Sequence, residues 1–107
     1  MSCYVLAQLT FKDLPAYRRY QAEFADVMRQ FKGRLLVADE APRPLDGNWR
    51  TDKIVLIWFP HEAAYAEWAA SAAYQRIAVD RIAGAETRSL LLRSFADSPD
   101  LGVRQAR

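Results

Sequence analysis

The chain is 107 residues long, 51% hydrophobic, 26% charged and 12% aromatic, with 15 basic against 13 acidic side chains and a formal charge of +2. That length fits one domain, the apolar share excludes a disordered chain, and the single Cys3 excludes an internal disulfide or a multi-cysteine metal site. The near-balanced charge gives no electrostatic reason to expect nucleic acid or a membrane surface as partner, and no apolar run approaches the roughly 18 residues of a membrane span.

Cys3 to Thr10 is rich in strand formers and apolar on both alternating faces, which predicts a strand. Met1 to Leu6 lacks the basic leader and long apolar stretch of a secretion signal, so a cytoplasmic protein is expected. Lys12-Asp13-Leu14-Pro15 combines a capping carboxylate with a first-turn proline, a helix start. From there Tyr17, Tyr20, Phe24, Val27, Met28 and Phe31 fall within an arc of roughly 100°, the stripe of an amphipathic helix. Gly33 is expected to stop that helix. Arg34 to Asp39 reads as a second strand, and Ala41 to Trp49, with two prolines and Asp46-Gly47, as a loop. Lys53 to Phe59 is a third strand, ended by Pro60. A short helix then runs from His61 to Ala70, and Ser71 caps a further one from Ala72 to about Ile82. Glu86 to Phe95 is the fourth strand. Residues 1–95 are thus expected to form one α+β domain, and residues 96–107, short of large apolar groups, a flexible C-terminal tail.

The order β-α-β-β-α-α-β is that of a ferredoxin-like split βαβ fold, a four-stranded antiparallel sheet. Right-handed crossovers put all the helices on one sheet face and leave the other open. Yet Ile54, Leu56 and Trp58 point opposite to Val55, Ile57 and Phe59, and Tyr4 and Leu6 opposite to Val5, Ala7 and Leu9. Both faces are apolar, and an uncovered apolar face of that size is unusual in a monomer. The expected cover is a second copy, giving a homodimer through the open sheet face.

His61, the sole histidine, is either a surface residue at a helix start or a general base, and it excludes histidine-pair metal sites. Cys3 reads as a small buried hydrophobe. Arg81 falls within the apolar stripe Tyr74, Ile77, Ala78, Ile82 and Ala85, so it snorkels, pairs with a carboxylate such as Asp39 or Glu40, or meets a ligand anion. Tyr17, Tyr20, Phe24, Trp68 and Tyr74 face the space between helices and sheet, Phe24 as core, and the tyrosines and Trp68 as core or as the wall of a cleft for a small aromatic or carboxylic ligand. Trp49 is either a lid over that cleft or a packing residue against a neighbouring subunit. No phosphate loop, dinucleotide fingerprint or nucleophile elbow is present. The RNA-recognition fold shares this topology, but Lys53 to Phe59 has no glycine and carries its basic residue only at the edge, so nucleic acid is not expected.

The ordered set formed by Gly33 after the Tyr/Phe-striped helix, Leu45-Asp46-Gly47-Asn48-Trp49, Phe59-Pro60, Ala63-Ala64, Trp68, Ser71, Tyr74-Gln75 and Arg81 resembles the family called "domain of unknown function 1330". The resemblance runs from about Tyr4 to Phe95 and implies a dimeric α+β barrel, with no reaction attached. Ala38-Asp39 stand where the family often has an arginine, and Ala69 where it often has an aromatic residue. Trp49, Trp68, Tyr74 and Arg81 remain the positions that both lines of argument select. Three functions follow as alternatives: a small-ligand binding protein without a cofactor; a cofactor-independent oxygenase- or isomerase-like enzyme using His61, Tyr74 or Arg81; and a purely structural dimerisation module. The ligand-binding set is Tyr17, Trp49, Trp68, Tyr74 and Arg81, with no metal expected.

Overall fold

A computed structural model describes residues 1–96. The expected tail at 96–107 lies, except for Ala96, outside the described residues. The elements follow in the order β1 (Cys3–Phe11), α1 (Leu14–Met28), β2 (Arg34–Asp39), β3 (Lys53–Phe59), α2 (Glu62–Ala70), α3 (Ala72–Gly84) and β4 (Ala85–Arg93). The four strands form one antiparallel sheet in the order β2-β3-β1-β4, the ferredoxin-like arrangement. No helix among the described residues is long and apolar enough to cross a membrane.

Local chemistry sets the helix boundaries. Asp13 caps α1, its carboxylate accepting from the Ala16 amide at 3.3 Å, with proline in the first turn. The helix ends at Met28, three residues before the end of its aromatic stripe. Phe31 sits in a tightened turn, its amide donating to the Met28 carbonyl at 3.0 Å. Gly33 is not a left-handed cap, because among the described glycines only Gly47 has a positive φ. Its role is close approach: a Cβ there would lie 2.5 Å from Phe59 and 2.8 Å from Met28. Phe59 is fully buried, so glycine is what lets the chain pass over it into β2.

Register decides which side chains meet. Cys3 pairs with Phe59, Val5 with Ile57, Ala7 with Val55 and Leu9 with Lys53, so these alternate residues share the helix-covered face. Leu9 also pairs with Thr87, and Ala7 with Ser89, which brings β4 into the same layer. The buried core lies here, formed by Leu9, Ile57 and Phe59 of the sheet with Tyr17, Val27, Trp68, Tyr74 and Ile77 of the helices. Opposite stand Tyr4, Leu6, Ile54, Leu56, Trp58, Leu90 and Leu92, and Leu90 is 60% exposed. Ile82 departs from its expected place in the core stripe of α3. The helix continues two residues past it, and its side chain is 60% exposed.

Candidate functional site: a cationic cleft between helices and sheet

Between the sheet and the helices lies a cavity of about 500 Å³, within the range that holds small organic ligands. β1 and β3 supply its floor through Val5, Ala7, Val55 and Ile57, and α1, α2 and α3 its roof through Tyr17, Tyr20, Phe24, Trp68 and Tyr74. The roof is a continuous aromatic assembly. Ring centroids lie 5.6 Å apart for Tyr17 and Tyr20, 6.2 Å for Tyr20 and Tyr74, 6.3 Å for Phe24 and Trp68, and 4.1 Å for Trp68 and Tyr74.

Ser71 holds the closest pair in place. Its hydroxyl donates to the Trp68 carbonyl at 2.8 Å, closing α2, and accepts from the Tyr74 amide at 3.0 Å, opening α3. A single serine thus joins the two helices that carry those rings. The polar end of the cavity is a short relay: the Tyr20 and Tyr74 hydroxyls are 3.0 Å apart, and Arg81 Nε donates to the Tyr74 oxygen at 3.2 Å. Burial, and then the neighbouring Tyr74, pushes the Tyr20 hydroxyl far above the ordinary tyrosine range, so it remains a neutral donor.

Arg81 does not pair with Asp39 or Glu40. The end of β2 is committed elsewhere: the Glu40 carboxylate accepts from both terminal nitrogens of Arg18, at 2.5 and 2.8 Å, and from Lys53 at 3.2 Å. The only hydrogen bond of the Arg81 side chain among the described residues is to a neutral hydroxyl. Among the described residues, neither a carboxylate nor a histidine lines the cavity. Its charged lining side chains among the described residues are two cations, Lys53 and Arg81.

The structure brings four of the expected site residues together, Tyr17, Trp68, Tyr74 and Arg81. It does not bring Trp49 or His61 to them. The Trp49 indole donates to Gln8 at 2.9 Å, and Gln8 pairs with Ile54 on the opposite sheet face, so this ring belongs to the open side. His61 is exposed and caps α2, its Nδ1 accepting from the Ala64 amide at 3.1 Å. Cys3 is buried, and that burial pushes its thiol up. No group of three histidine, cysteine, aspartate or glutamate side chains among the described residues is placed to hold a metal ion. Sequence reasoning passed over Lys53, which is 3% exposed and lines the cavity. The signal was present: Lys53 is in phase with Val55, Ile57 and Phe59, and must point where they point.

The four-stranded antiparallel sheet and its three helices define a ferredoxin-like α+β fold. The chain belongs to the family described as "Domain of unknown function (DUF1330)", which matches residues 2–95. Its solved structural relatives include a protein of unknown function from Rhodopseudomonas palustris, at TM-score 0.75 and 17% identity, covering 89% of this chain and 83% of that one. SnoaB, a cofactor-independent oxygenase from Streptomyces nogalater, aligns at TM-score 0.67 and 14% identity over 89% of this chain and 94% of its own. A ferredoxin-like protein of the dabb family from Mesorhizobium loti aligns at TM-score 0.63 and 10% identity, over 89% and 98%. No curated protein sequence matches the chain.

Proposed function

We propose that this protein binds a small aromatic or carboxylic ligand in the helix–sheet cavity, without a cofactor, as a homodimer joined through its open sheet faces. The observation that carries the reading is Arg81. It is a half-buried guanidinium at the edge of an aromatic cavity of about 500 Å³, bonded only to a tyrosine hydroxyl among the described residues. A planar carboxylate is its natural partner, and the rings of Trp68, Tyr74 and Phe24 suit an aromatic body. The cavity is also what sets this reading above a purely structural module. The dimer rests on the apolar row Tyr4, Leu6, Leu56, Trp58 and Leu90, and the proposal includes the two-fold pairing that covers it.

The test is thermal-shift screening against a panel of small aromatic acids, with Arg81→Ala and Trp68→Ala beside the wild type. A compound that stabilises the wild type and neither variant supports the site, and equal responses in all three remove these residues from it. A second reading, cofactor-independent catalysis in the same cavity, is motivated by the oxygenase among the fold neighbours. Among the described residues the lining offers no carboxylate or histidine as an ordinary general base, which favours binding. Consumption of oxygen or of a bound acid by the purified protein would reverse that preference.

A further inference from the structure

We propose that Lys53 is a second anion anchor in the cavity, and that the ligand is a compact dianion, a dicarboxylic acid, rather than a simple monoacid. This rests on the reading of the cavity as a ligand site and specifies the class of ligand.

Lysine is rarely found inside a protein unless its charge is matched. Lys53 is 3% exposed and lines the cavity. Its ammonium lies 4.8 Å from the centre of the Tyr17 ring and 3.2 Å from Glu40. Glu40, however, is not its own counter-ion alone, because Arg18 takes both of that carboxylate's oxygens. Two cations thus share one negative charge. Arg81 adds another cation whose only hydrogen-bond partner among the described residues is neutral. Two cations, Lys53 and Arg81, line the cavity, no acidic residue among the described residues lines it, and the Glu40 carboxylate is shared with the exposed Arg18. Of the other acids, Asp80 pairs with Arg19, Glu23 with Arg76, and the Asp52 and Asp39 carboxylates accept from the Phe11 and Ala41 amides.

The position of Lys53 adds a geometric argument. Lys53 and Thr87 flank Leu9 in one row across β3, β1 and β4, all on the helix-covered face. The Thr87 hydroxyl is buried, lines the cavity and has no hydrogen-bond partner among the described residues. Lys53 and Thr87 stand two strand spacings apart, about 10 Å, and so offer separate donors: one ligand carboxylate takes the ammonium on β3 and a second the guanidinium on α3, with the Thr87 hydroxyl as a further donor on the sheet. Glu40 holds the ammonium in place, and a ligand carboxylate completes its coordination.

Titration calorimetry at low salt with benzoate, the three isomeric benzenedicarboxylates and neutral benzamide tests this. At least one dicarboxylate is expected to bind the wild type about tenfold or more tighter than benzoate, the effect of one added charge-assisted contact. Lys53→Met, which keeps the apolar stem, is expected to bring that compound down to the benzoate level, weakening benzoate by a smaller factor than the dicarboxylate. Glu40→Gln is expected to shift selectivity the other way, tightening the dicarboxylate, whereas a merely structural role of the pair would weaken every compound in both variants. Thermal melting of each variant establishes that it is folded. Benzoate binding that depends on Arg81, with no dicarboxylate preferred or with the preference intact in Lys53→Met, overturns the role of Lys53 and leaves the cavity reading standing. Binding of none of the five compounds overturns both.

Discussion

Between the Tyr20 hydroxyl and Arg81 stands one oxygen, that of Tyr74. Tyr74→Phe keeps the ring against Trp68 and removes only this bridge, leaving a buried hydroxyl and a guanidinium nitrogen without an acceptor. The expected cost is about 1–3 kcal/mol, read as a lower urea midpoint at unchanged slope. A variant as stable as the wild type would mean that water replaces the bridge. At this scale the sequence was informative in proportion to periodicity. Tyr17, Trp68, Tyr74 and Arg81 lie on regular helical faces, so spacing alone pointed them at one another. Trp49 lies on a loop, where no period fixes direction, and Glu40 lies just past a strand end. Its partners Arg18 and Lys53 are 22 and 13 residues away, a pairing that only the assembled sheet and helix create. Lys53 was overlooked for a different reason: its charge suggested the edge of the strand, while its phase said interior.

Among the elements, α1 and α3 are locked where the end of one meets the start of the other. The Gly84 carbonyl accepts from the amides of Lys12 and Asp13, at 2.8 and 3.0 Å. A Cβ at Gly84 would sit 2.4 Å from the Tyr17 nitrogen and 2.9 Å from the Asp13 oxygen, both backbone atoms that cannot swing aside. Gly84→Ala is therefore expected to cost more than the ~1–3 kcal/mol of ordinary overpacking, seen as a fall in melting temperature or loss of folded protein. The boundary of this helix was misjudged by two residues because the glycine carries no periodic signal, only a close approach visible in three dimensions. Glu40 joins the end of β2 to α1 and β3, and its pH dependence has a definite sign. Arg18 first, then Lys53, hold its carboxyl at about 2 against an ordinary 4.5. A lowered value means that the ionised form stabilises the fold at higher pH, and this contribution fades as pH falls from 4.5 through about 2. The stability gap between wild type and Glu40→Gln should therefore be open at pH 6 and close towards pH 2. Since the carboxylate is a third exposed, high salt should narrow the gap at pH 6 as well.

For the molecule as a whole, the decisive measurement is mass in solution. The open face places Leu56 and Trp58 beside Tyr4 and Leu6, with the Arg34 guanidinium 5.9 Å from the Trp58 ring centre. Sedimentation at micromolar concentration is expected to give twice the 12.2 kDa of one chain, and Leu56→Asp, which puts a charge in the middle of that face, is expected to give 12.2 kDa. A wild type that sediments as a single chain would overturn the homodimer. The overall architecture was legible from the sequence because strand alternation and helical stripes are strong, redundant signals. β3 itself carries a further consequence. Its residues alternate between two readers, Val55 and Ile57 turned to the cavity and Leu56 and Trp58 to the opposite face, within a layer one residue thick. In the proposed dimer, occupancy on one side and pairing on the other share a backbone, so they are linked functions. By thermodynamic reciprocity, a ligand that tightens the pairing by some factor must itself be held tighter by that factor in the pair.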